Sequence, residues 1–337
     1  MKAVSYTRHG PAAEVLEFGD FPDPVADDGE VLVRLGASGV NPSDVKARSG
    51  YLWPMTAQRT IPHSDGAGVI EAVGGGVDPA RVGERVWTYN VNRTEDGLGQ
   101  GSIGTAAELV AVQSARAIPL PDGASFVTGA ALGVPAMTAH AALLTDGPVD
   151  GMCVLVTGGA GAVGSLAIQM AKWAGAARIV TTVSSDTKAA AAIADGADAA
   201  VNYRELGIGD NLRNALLDAS GGRMFDRMVD VDFGAYVNLS AKVMEHGGVI
   251  GTYASMSEPK PTVDFYPLMM NDITIRMVEV YAQSPARFAE ISDGVNRALS
   301  DGALAPHIDG TWPLRDVVAA HERVESGAQI GNVVVEI

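Results

Sequence analysis

The sequence of 337 residues contains a single cysteine, Cys153. One cysteine cannot form a disulfide within the chain, and it cannot supply the cysteine clusters that hold zinc. It stands at the start of the apolar run CVLV, which favours a buried structural position. The six histidines show no spacing typical of metal ligands. We therefore expect a protein without a metal site.

Long apolar runs and an excess of basic residues are also lacking. No run approaches the roughly 18 to 20 uninterrupted apolar residues of a membrane span, and the opening MKAVSYTRHG has no apolar signal-peptide core. The 40 acidic residues outnumber the 24 basic ones and give a formal net charge of −16, which opposes binding to nucleic-acid phosphates. We expect a cytoplasmic protein with neither a membrane contact nor a nucleic-acid partner.

The pattern of the sequence divides the chain into two regions. From Cys153 onward, short β-branched runs alternate with amphipathic segments, which is typical of βα units in a doubly wound parallel sheet. Five strands are expected there: CVLVT, RIVTTV, AAVNY, FDRMVDVD and GVIGTY. Before about residue 120 the runs are short and β-rich, which predicts a compact β-barrel-like domain. We place the sheet domain at residues 124–265 and the β domain at 1–123 and 266–337, with the final run NVVVEI returning to the β domain.

A glycine-rich turn follows the first strand of the sheet domain. Gly159, Gly161 and Gly164 form the pattern G-x-G-x-x-G between that strand and a helical segment. The first glycine permits the tight turn, the second lets the backbone approach a pyrophosphate, and the third lets helix and strand pack closely. A plain βα turn is the alternative, which the succession of βα units disfavours. The intervening residues belong to the same candidate site: Ala160, Ala162 and Val163.

The end of the second strand indicates which dinucleotide binds. A site for NAD usually has a carboxylate there, which accepts the ribose hydroxyls. This chain has Ser184 and Ser185, followed by Lys188 one helical turn later, and these groups favour the 2′-phosphate of NADPH. Asp186 is a counter-argument unless it caps the helix. A solvated surface lysine is the alternative for Lys188.

Several ordered motifs extend over essentially the whole chain: MKAVSYTRHG, GVNPSDVKARSG, PHSDGAGVIEAVG, GERVW, GVPAMTAHAAL, the glycine turn, VNYRE and GNVVVEI. With these motifs the chain resembles the quinone oxidoreductase and zeta-crystallin branch of the zinc-free medium-chain dehydrogenase/reductase superfamily. The resemblance implies a Rossmann doubly wound parallel sheet inserted in a GroES-like β-barrel domain, with the nicotinamide between the two domains. It also implies a homodimer formed through sheet edges near the segment VEVY.

The same resemblance implies positions for the cofactor contacts. Ser184, Lys188 and Tyr203 would surround the adenosine 2′-phosphate, although Tyr203 could instead pack against its neighbours. Asn41 and Thr138 would lie near the nicotinamide. Further cofactor contacts are implied at Phe233, Thr252, Ser255 and Asn332.

The resemblance also shows which zinc ligands are replaced. Zinc-dependent relatives hold catalytic zinc with a cysteine and a His–Glu pair. Here Asn41 takes the place of the cysteine, and Ser64 and Asp65 take the place of the pair. His63 is displaced by one position and is interpreted as a pocket or turn residue. Zinc prefers nitrogen and sulfur ligands, so we expect chemistry that does not use it.

Hydride transfer without a Lewis acid favours acceptors that carry their own electron sink. The leading hypothesis is an NADPH-dependent quinone reductase, and the alternative is a reductase of the C=C bond of enones, 2-alkenals or enoyl thioesters. A cofactor-binding structural or RNA-binding protein is a third hypothesis, which the acidic charge disfavours. Asn41 would orient the substrate or the nicotinamide ribose. The proton would come from Tyr51 or solvent, with Asp44 a weaker candidate; Tyr51 could instead be a flat wall, and Asp44 a helix-start residue.

Overall fold

The computed structural model describes residues 1–51, 53–94, 96–97 and 99–337. The chain forms two compact units. Unit 1 comprises Met1–Pro135, Tyr281–Asn296 and Pro306–Ile337, and unit 2 comprises Ala136–Val280 and Arg297–Ala305. Unit 2 is thus inserted within the sequence of unit 1.

The strands, in chain order, are β1 (Lys2–Ser5), β2 (Glu17–Asp20), β3 (Glu30–Val40), β4 (Asp65–Val73), β5 (Arg85–Thr88), β6 (Leu109–Gln113), β7 (Ala117–Pro119), β8 (Cys153–Val156), β9 (Arg178–Val183), β10 (Ala199–Asn202), β11 (Phe225–Asp230), β12 (Met244–Thr252), β13 (Thr274–Met277), β14 (Ile308–Pro313) and β15 (Asn332–Glu336). The helices are α1 (Ala12–Val15), α2 (Pro42–Ser49), α3 (Phe126–Ala130), α4 (Gly133–Leu144), α5 (Ala162–Trp173), α6 (Asp186–Ala194), α7 (Tyr203–Leu206), α8 (Asp210–Ala219), α9 (Phe233–Ser240), α10 (Phe265–Met270), α11 (Pro285–Ser300) and α12 (Val317–Glu325). Short 3-10 helices lie at Pro79–Arg81, Ser114–Arg116 and Leu314–Asp316.

Unit 2 contains a six-stranded parallel sheet in the order β10-β9-β8-β11-β12-β13. Counted from β8, this is the order 3-2-1-4-5-6 of dinucleotide-binding sheets, in which the strand order reverses between β8 and β11. All four residues of β8 are buried, as expected for a central parallel strand. The predicted doubly wound parallel sheet is confirmed.

The sheet has one strand more than the five expected. β13 pairs in parallel with β12, for example Ile275 with Ile250, so residues 274–277 belong to unit 2. The sequence division at residue 265 placed this segment in the other domain. Its residues are exposed or half-buried, because β13 is an edge strand, and it therefore lacks the continuous apolar run that identified the central strands.

Unit 1 is built mainly from a seven-stranded sheet. Its strands follow the order β14-β15-β3-β4-β5-β7, and β6 pairs with β3 beside this path. β15 is antiparallel to β3, with Val333 opposite Val40, so the predicted return of the final run to the β domain is confirmed. A separate pair, β1 with β2, completes the strands of this unit.

None of the helices in the part of the chain that the structure describes combines the length and the apolar character needed to cross a bilayer.

The thiol of Cys153 should be unreactive in the folded protein. Its side chain is fully buried at the start of β8, and burial raises the pKa of its thiol to about 11. Because the thiolate is the reactive form, an aromatic disulfide reagent should label the native protein much more slowly than a free cysteine at neutral pH. One thiol per chain should then react after unfolding in guanidinium. Rapid stoichiometric labelling of the native protein would contradict this burial.

Candidate functional site

The glycine turn joins β8 to α5 in unit 2. A Cβ atom on Gly159 would lie 2.0 Å from Thr181 Oγ1, and one on Gly164 would lie 2.3 Å from the Gly158 oxygen, so packing within the protein requires both glycines. A Cβ atom on Gly161 would come no closer than 3.3 Å to a neighbour. The middle glycine is therefore the one that internal packing needs least, and it leaves the backbone open to a ligand.

The N-terminus of α5 has a free face. Gly161 is its N-cap residue, and no side chain in the described part of the chain caps it. The first N–H groups of a helix lack partners within the helix and carry a partial positive charge. An uncapped terminus directly after the central strand is suited to bind a pyrophosphate.

The ends of β9 and β10 bring two of the predicted 2′-phosphate residues together. Val183 pairs with Asn202 at the last register position, so Ser184 and Tyr203 follow directly on neighbouring parallel strands. Ser185 is the N-cap residue of α6, where its Oγ accepts the Lys188 N–H at 3.3 Å. The hydroxyl hydrogen of Ser185 is not used by that bond. This corner therefore offers hydroxyl donors and a helix N-terminus to an anion.

A cavity of about 510 Å³ lies at the carboxyl ends of β12 and β13. Three residues predicted from the family resemblance line it: Phe233, Thr252 and Ser255. Ser255 Oγ accepts the Gly234 N–H at 3.0 Å, which links the loop after β12 to the start of α9. The structure therefore brings these three residues together in one concave site of unit 2.

Asp230, at the end of β11, was missed in the sequence analysis. Its carboxyl oxygens accept the hydroxyl groups of Thr157, at 2.9 Å, and Thr252, at 3.0 Å. Desolvation raises its pKa to about 6. The carboxyl thus ties the end of β8 to the end of β12 at the point where the strand order reverses. In the sequence, the aspartate that follows the apolar pair in FDRMVDVD was the signal that could have identified Asp230.

Asn41 and Asp44 lie at the start of α2 in unit 1. Asn41 is the N-cap residue, and Asp44 Oδ2 accepts its backbone N–H at 2.8 Å as in a capping box. Asp44 is almost fully buried, and desolvation raises its pKa to about 6. The observed hydrogen bond of Asp44 is thus the one expected for a residue at the start of a helix.

Asp65 is a second buried carboxyl group, and it was not predicted as a catalytic residue. Its Oδ2 accepts the Asn41 side-chain N–H at 2.7 Å and the Val134 backbone N–H, at the start of α4, at 2.8 Å. Desolvation, followed by the nearby charge of Asp44, raises its pKa to about 8. The spacing of the PHSDGAG motif was a signal for Asp65, but its partners are distant in sequence.

The residues at the positions of zinc ligands do not form a set that suits zinc. Asn41 offers an amide and Ser64 a hydroxyl group, and only Asp65 offers a carboxylate, whereas zinc prefers histidine nitrogen and thiolate sulfur. The Asn41 amide is already engaged with Asp65. Within the described ranges, no group of three or more His, Cys, Asp or Glu residues is arranged to hold a metal ion.

His63 belongs to a buried hydrogen-bonded chain. Its Nδ1 lies 2.9 Å from Ser38 Oγ, and its Nε2 lies 2.9 Å from Nε2 of His321. Ser38 Oγ lies 2.7 Å from Thr105 Oγ1, which donates to the Asp65 carbonyl oxygen at 2.6 Å. Desolvation lowers the pKa of both histidines, that of His63 to about 3, so the pair is neutral.

Of the remaining predicted residues, Asn332 lies beside Asn41 in the strand register, because Val333 pairs with Val40 in antiparallel strands. Tyr51 follows α2 with 55% of its surface exposed. Thr138 is buried within α4 in unit 2. Asn332 begins β15 in unit 1, and its side-chain N–H donates to the His307 carbonyl at 3.1 Å. Among the residues that the structure describes, no hydrogen bond joins Tyr51, Thr138 or Asn332 to Asn41.

Comparison with protein families identifies both parts of the chain. Residues 27–122 match the alcohol dehydrogenase GroES-like domain, and residues 162–297 match the zinc-binding dehydrogenase family. The quinone oxidoreductase of Pongo abelii is 29% identical over 332 residues, covering 97% of this chain and 95% of its own. The 2-methylene-furan-3-one reductase of Solanum lycopersicum is 30% identical, covering 99% of this chain and 79% of its own.

Solved structures agree with the family match. A mycobacterial protein complexed with NADPH has a TM-score of 0.85 and 27% identity, with complete coverage (100%) of both chains. An NAD-dependent alcohol dehydrogenase has a TM-score of 0.87 and 30% identity, also with 100% coverage of both. With this fold, these family domains and these relatives, the chain belongs to the medium-chain dehydrogenase/reductase superfamily, in its quinone oxidoreductase branch.

Proposed function

We propose that this oxidoreductase is an NADPH:quinone reductase that works without zinc in the cytoplasm. The observation that carries the proposal is the hydrogen bond between Asn41 and Asp65. At the positions where zinc-dependent relatives hold their metal, these two side chains bind each other. The substrate therefore has to be one whose reduction needs no bound Lewis acid.

The dinucleotide site in unit 2 supports NADPH. The uncapped first turn of α5 would hold the pyrophosphate, and the corner formed by Ser184, Ser185, Lys188 and Tyr203 would hold the 2′-phosphate. The residue directly after β9 is a serine, where a carboxylate would repel that phosphate. NADPH, when bound, supplies a hydride to the acceptor.

Quinones fit a site with neutral hydrogen-bonding groups. When a quinone takes up a hydride, the negative charge spreads over the ring to an oxygen, where hydrogen-bond donors can hold it. Asn41 is fixed by bonds to both its backbone and its side chain, so it can orient a ligand without first losing conformational freedom. Solvent or Tyr51, whose side chain is exposed, would then supply the proton.

Reduction of a C=C bond is the second candidate. The relative from Solanum lycopersicum is named for the reduction of a 2-methylene-furan-3-one, and a further solved structure, 26% identical, is a 2-octenoyl-CoA carboxylase reductase complexed with NADP. An α,β-unsaturated carbonyl also carries its own electron sink, so the same residues would serve.

A homodimer is proposed through the free edge of the parallel sheet. β13 is the edge strand, and an unpaired edge offers N–H and C=O groups to a second strand. Large apolar side chains near this edge in the sequence are exposed, namely Phe265 at 65%, Tyr266 at 71%, Met270 at 72% and Met277 at 72%. A second copy of the chain would cover them, close to the VEVY segment.

The choice of cofactor depends on Lys188. Lys188→Ala should raise the KM for NADPH about tenfold, because a charge-assisted bond to the 2′-phosphate is lost, and should leave the KM for NADH unchanged. Steady-state kinetics with both cofactors measure this. Lys242→Ala is the matched control, since Lys242 forms an exposed ion pair with Asp210. A wild-type preference for NADH, or an equal effect of Lys188→Ala on both cofactors, would refute the assignment.

The acceptor class is tested by turnover of a small panel. A para-quinone and an ortho-quinone should be reduced with a kcat/KM at least about tenfold above that of a 2-alkenal, because their charge is better dispersed. Prior dialysis against a chelator should leave these rates unchanged. Faster turnover of the alkenal would favour the second candidate, and loss of activity on chelation would show that a metal takes part.

The dimer is tested by sedimentation. The wild type should sediment as a dimer, and Met270→Asp should shift it toward the monomer by placing a charge in the apolar contact. Val82→Asp is the control, because Val82 is similarly apolar and is exposed by 51% in unit 1. A monomeric wild type, or dissociation by the control alone, would place the interface elsewhere or remove it.

A further inference from the structure

Two carboxyl groups fix Asn41 from different directions. Asp44 accepts the backbone N–H of Asn41 at 2.8 Å, and Asp65 accepts its side-chain N–H at 2.7 Å. All three residues are buried, with Asn41 exposed by 5%, so these bonds form in a poorly solvated environment. The first bond places the start of α2, while the second determines how the amide of Asn41 is turned.

The hydrogen-bond partners of Asp65 settle the orientation of that amide. Asp65 Oδ2 also accepts the Val134 N–H at 2.8 Å, so it acts as an acceptor toward both neighbours. An ionised carboxylate has no proton to donate. In the acid form the proton sits on Oδ1, because Oδ2 already faces two N–H groups. In both charge states the Asn41 nitrogen faces Asp65, and the amide oxygen is turned away from it, toward the Asp44 backbone N–H of the capping box, with a second lone pair left for a ligand.

The carboxyl group of Asp65 is itself held in one position. Thr105 Oγ1 donates to the backbone carbonyl oxygen of Asp65 at 2.6 Å, and the hydrogen-bonded chain of Ser38, His63 and His321 continues from Thr105. On the other side, a Cβ atom on Gly133 would lie 2.2 Å from Asp65 Oδ1. Only a glycine at position 133 therefore lets the backbone of α4 come this close to the Asp65 carboxyl group.

We propose that Asp65 is a positioning residue that turns the amide oxygen of Asn41 toward the ligand, where it accepts a hydrogen bond from a ligand hydroxyl group. The inference rests on the proposed binding of NADPH, whose ribose supplies such hydroxyl groups. A carbonyl oxygen repels a developing negative charge, so Asn41 positions the dinucleotide, and the charge of the reduced acceptor is stabilised by other groups.

The affinity for NADPH tests this role without any turnover. Titration followed by the fluorescence of NADPH should show that Asn41→Ala and Asp65→Ala each raise Kd about tenfold, the effect of one lost hydrogen bond. Asp65→Asn should stay within about twofold of the wild type, because its amide oxygen can still accept both N–H groups. The double variant Asn41→Ala/Asp65→Ala should match Asn41→Ala alone, because Asp65 acts through Asn41.

A matched control separates positioning from general stability. Thr88→Val removes another buried hydrogen bond of the same sheet, that from Thr88 Oγ1 to the Gly66 carbonyl, and should leave Kd unchanged. If Asp65→Ala does not fold, Gly133→Ala displaces the carboxyl while retaining it, and its effect on Kd should likewise vanish in the Asn41→Ala background.

The outcomes distinguish this inference from the proposed function. Additive effects of Asn41→Ala and Asp65→Ala, or equal losses in Asp65→Asn and Asp65→Ala, would overturn the positioning role. An unchanged Kd in Asn41→Ala would also overturn it, even if quinone reduction by the wild type upheld the proposed function. If the Kd values follow the expected pattern but the enzyme does not reduce quinones, the positioning role stands and the proposed quinone substrate is wrong.

Discussion

The buried carboxyl group of Asp65 joins three parts of unit 1. It lies at the start of β4, binds the residue that begins α2, and accepts a backbone N–H at the start of α4. A buried polar group is costly unless its hydrogen bonds are made, so these three elements have to meet in one arrangement. The geometry around Asn41 follows from that requirement.

A buried positive charge acts on the pKa of the Asp65 carboxyl group and on that of its neighbour Asp44. Arg93 is buried in the same unit, with its guanidinium carbon 4.1 Å from the ring centres of both Trp53 and Tyr281. Its positive charge lowers the pKa of Asp44 and of Asp65, while desolvation raises both. Because desolvation outweighs this attraction, each of the two carboxyl groups holds a proton more tightly than an exposed aspartate does.

Sequence patterns predicted the structural features that depend on residues close together in the chain. The glycine turn was predictable because strand, turn and helix are consecutive, and two of its glycines are needed for contacts within the turn or with the neighbouring strand. The sixth strand was not assigned to the parallel sheet, because its segment was placed in the other domain and its exposed residues lack the apolar run of the central strands. The partners of Asp65 were not predictable either. Val134 is 69 positions away, and the His63–His321 bond spans 258 positions, so only the folded chain brings them together.

The place of β15 in the sheet has a consequence for the order of folding. β15 lies between β14 and β3, and Val333 pairs with Val40, the residue before Asn41. During synthesis, β3 has to wait for residues 332–336 to emerge before this side of its ladder is filled, and closing so long a loop is entropically costly. Unit 2 depends on no strand beyond β13 and can complete its sheet earlier. Unit 2 is therefore able to form on the ribosome before unit 1, which carries Asn41.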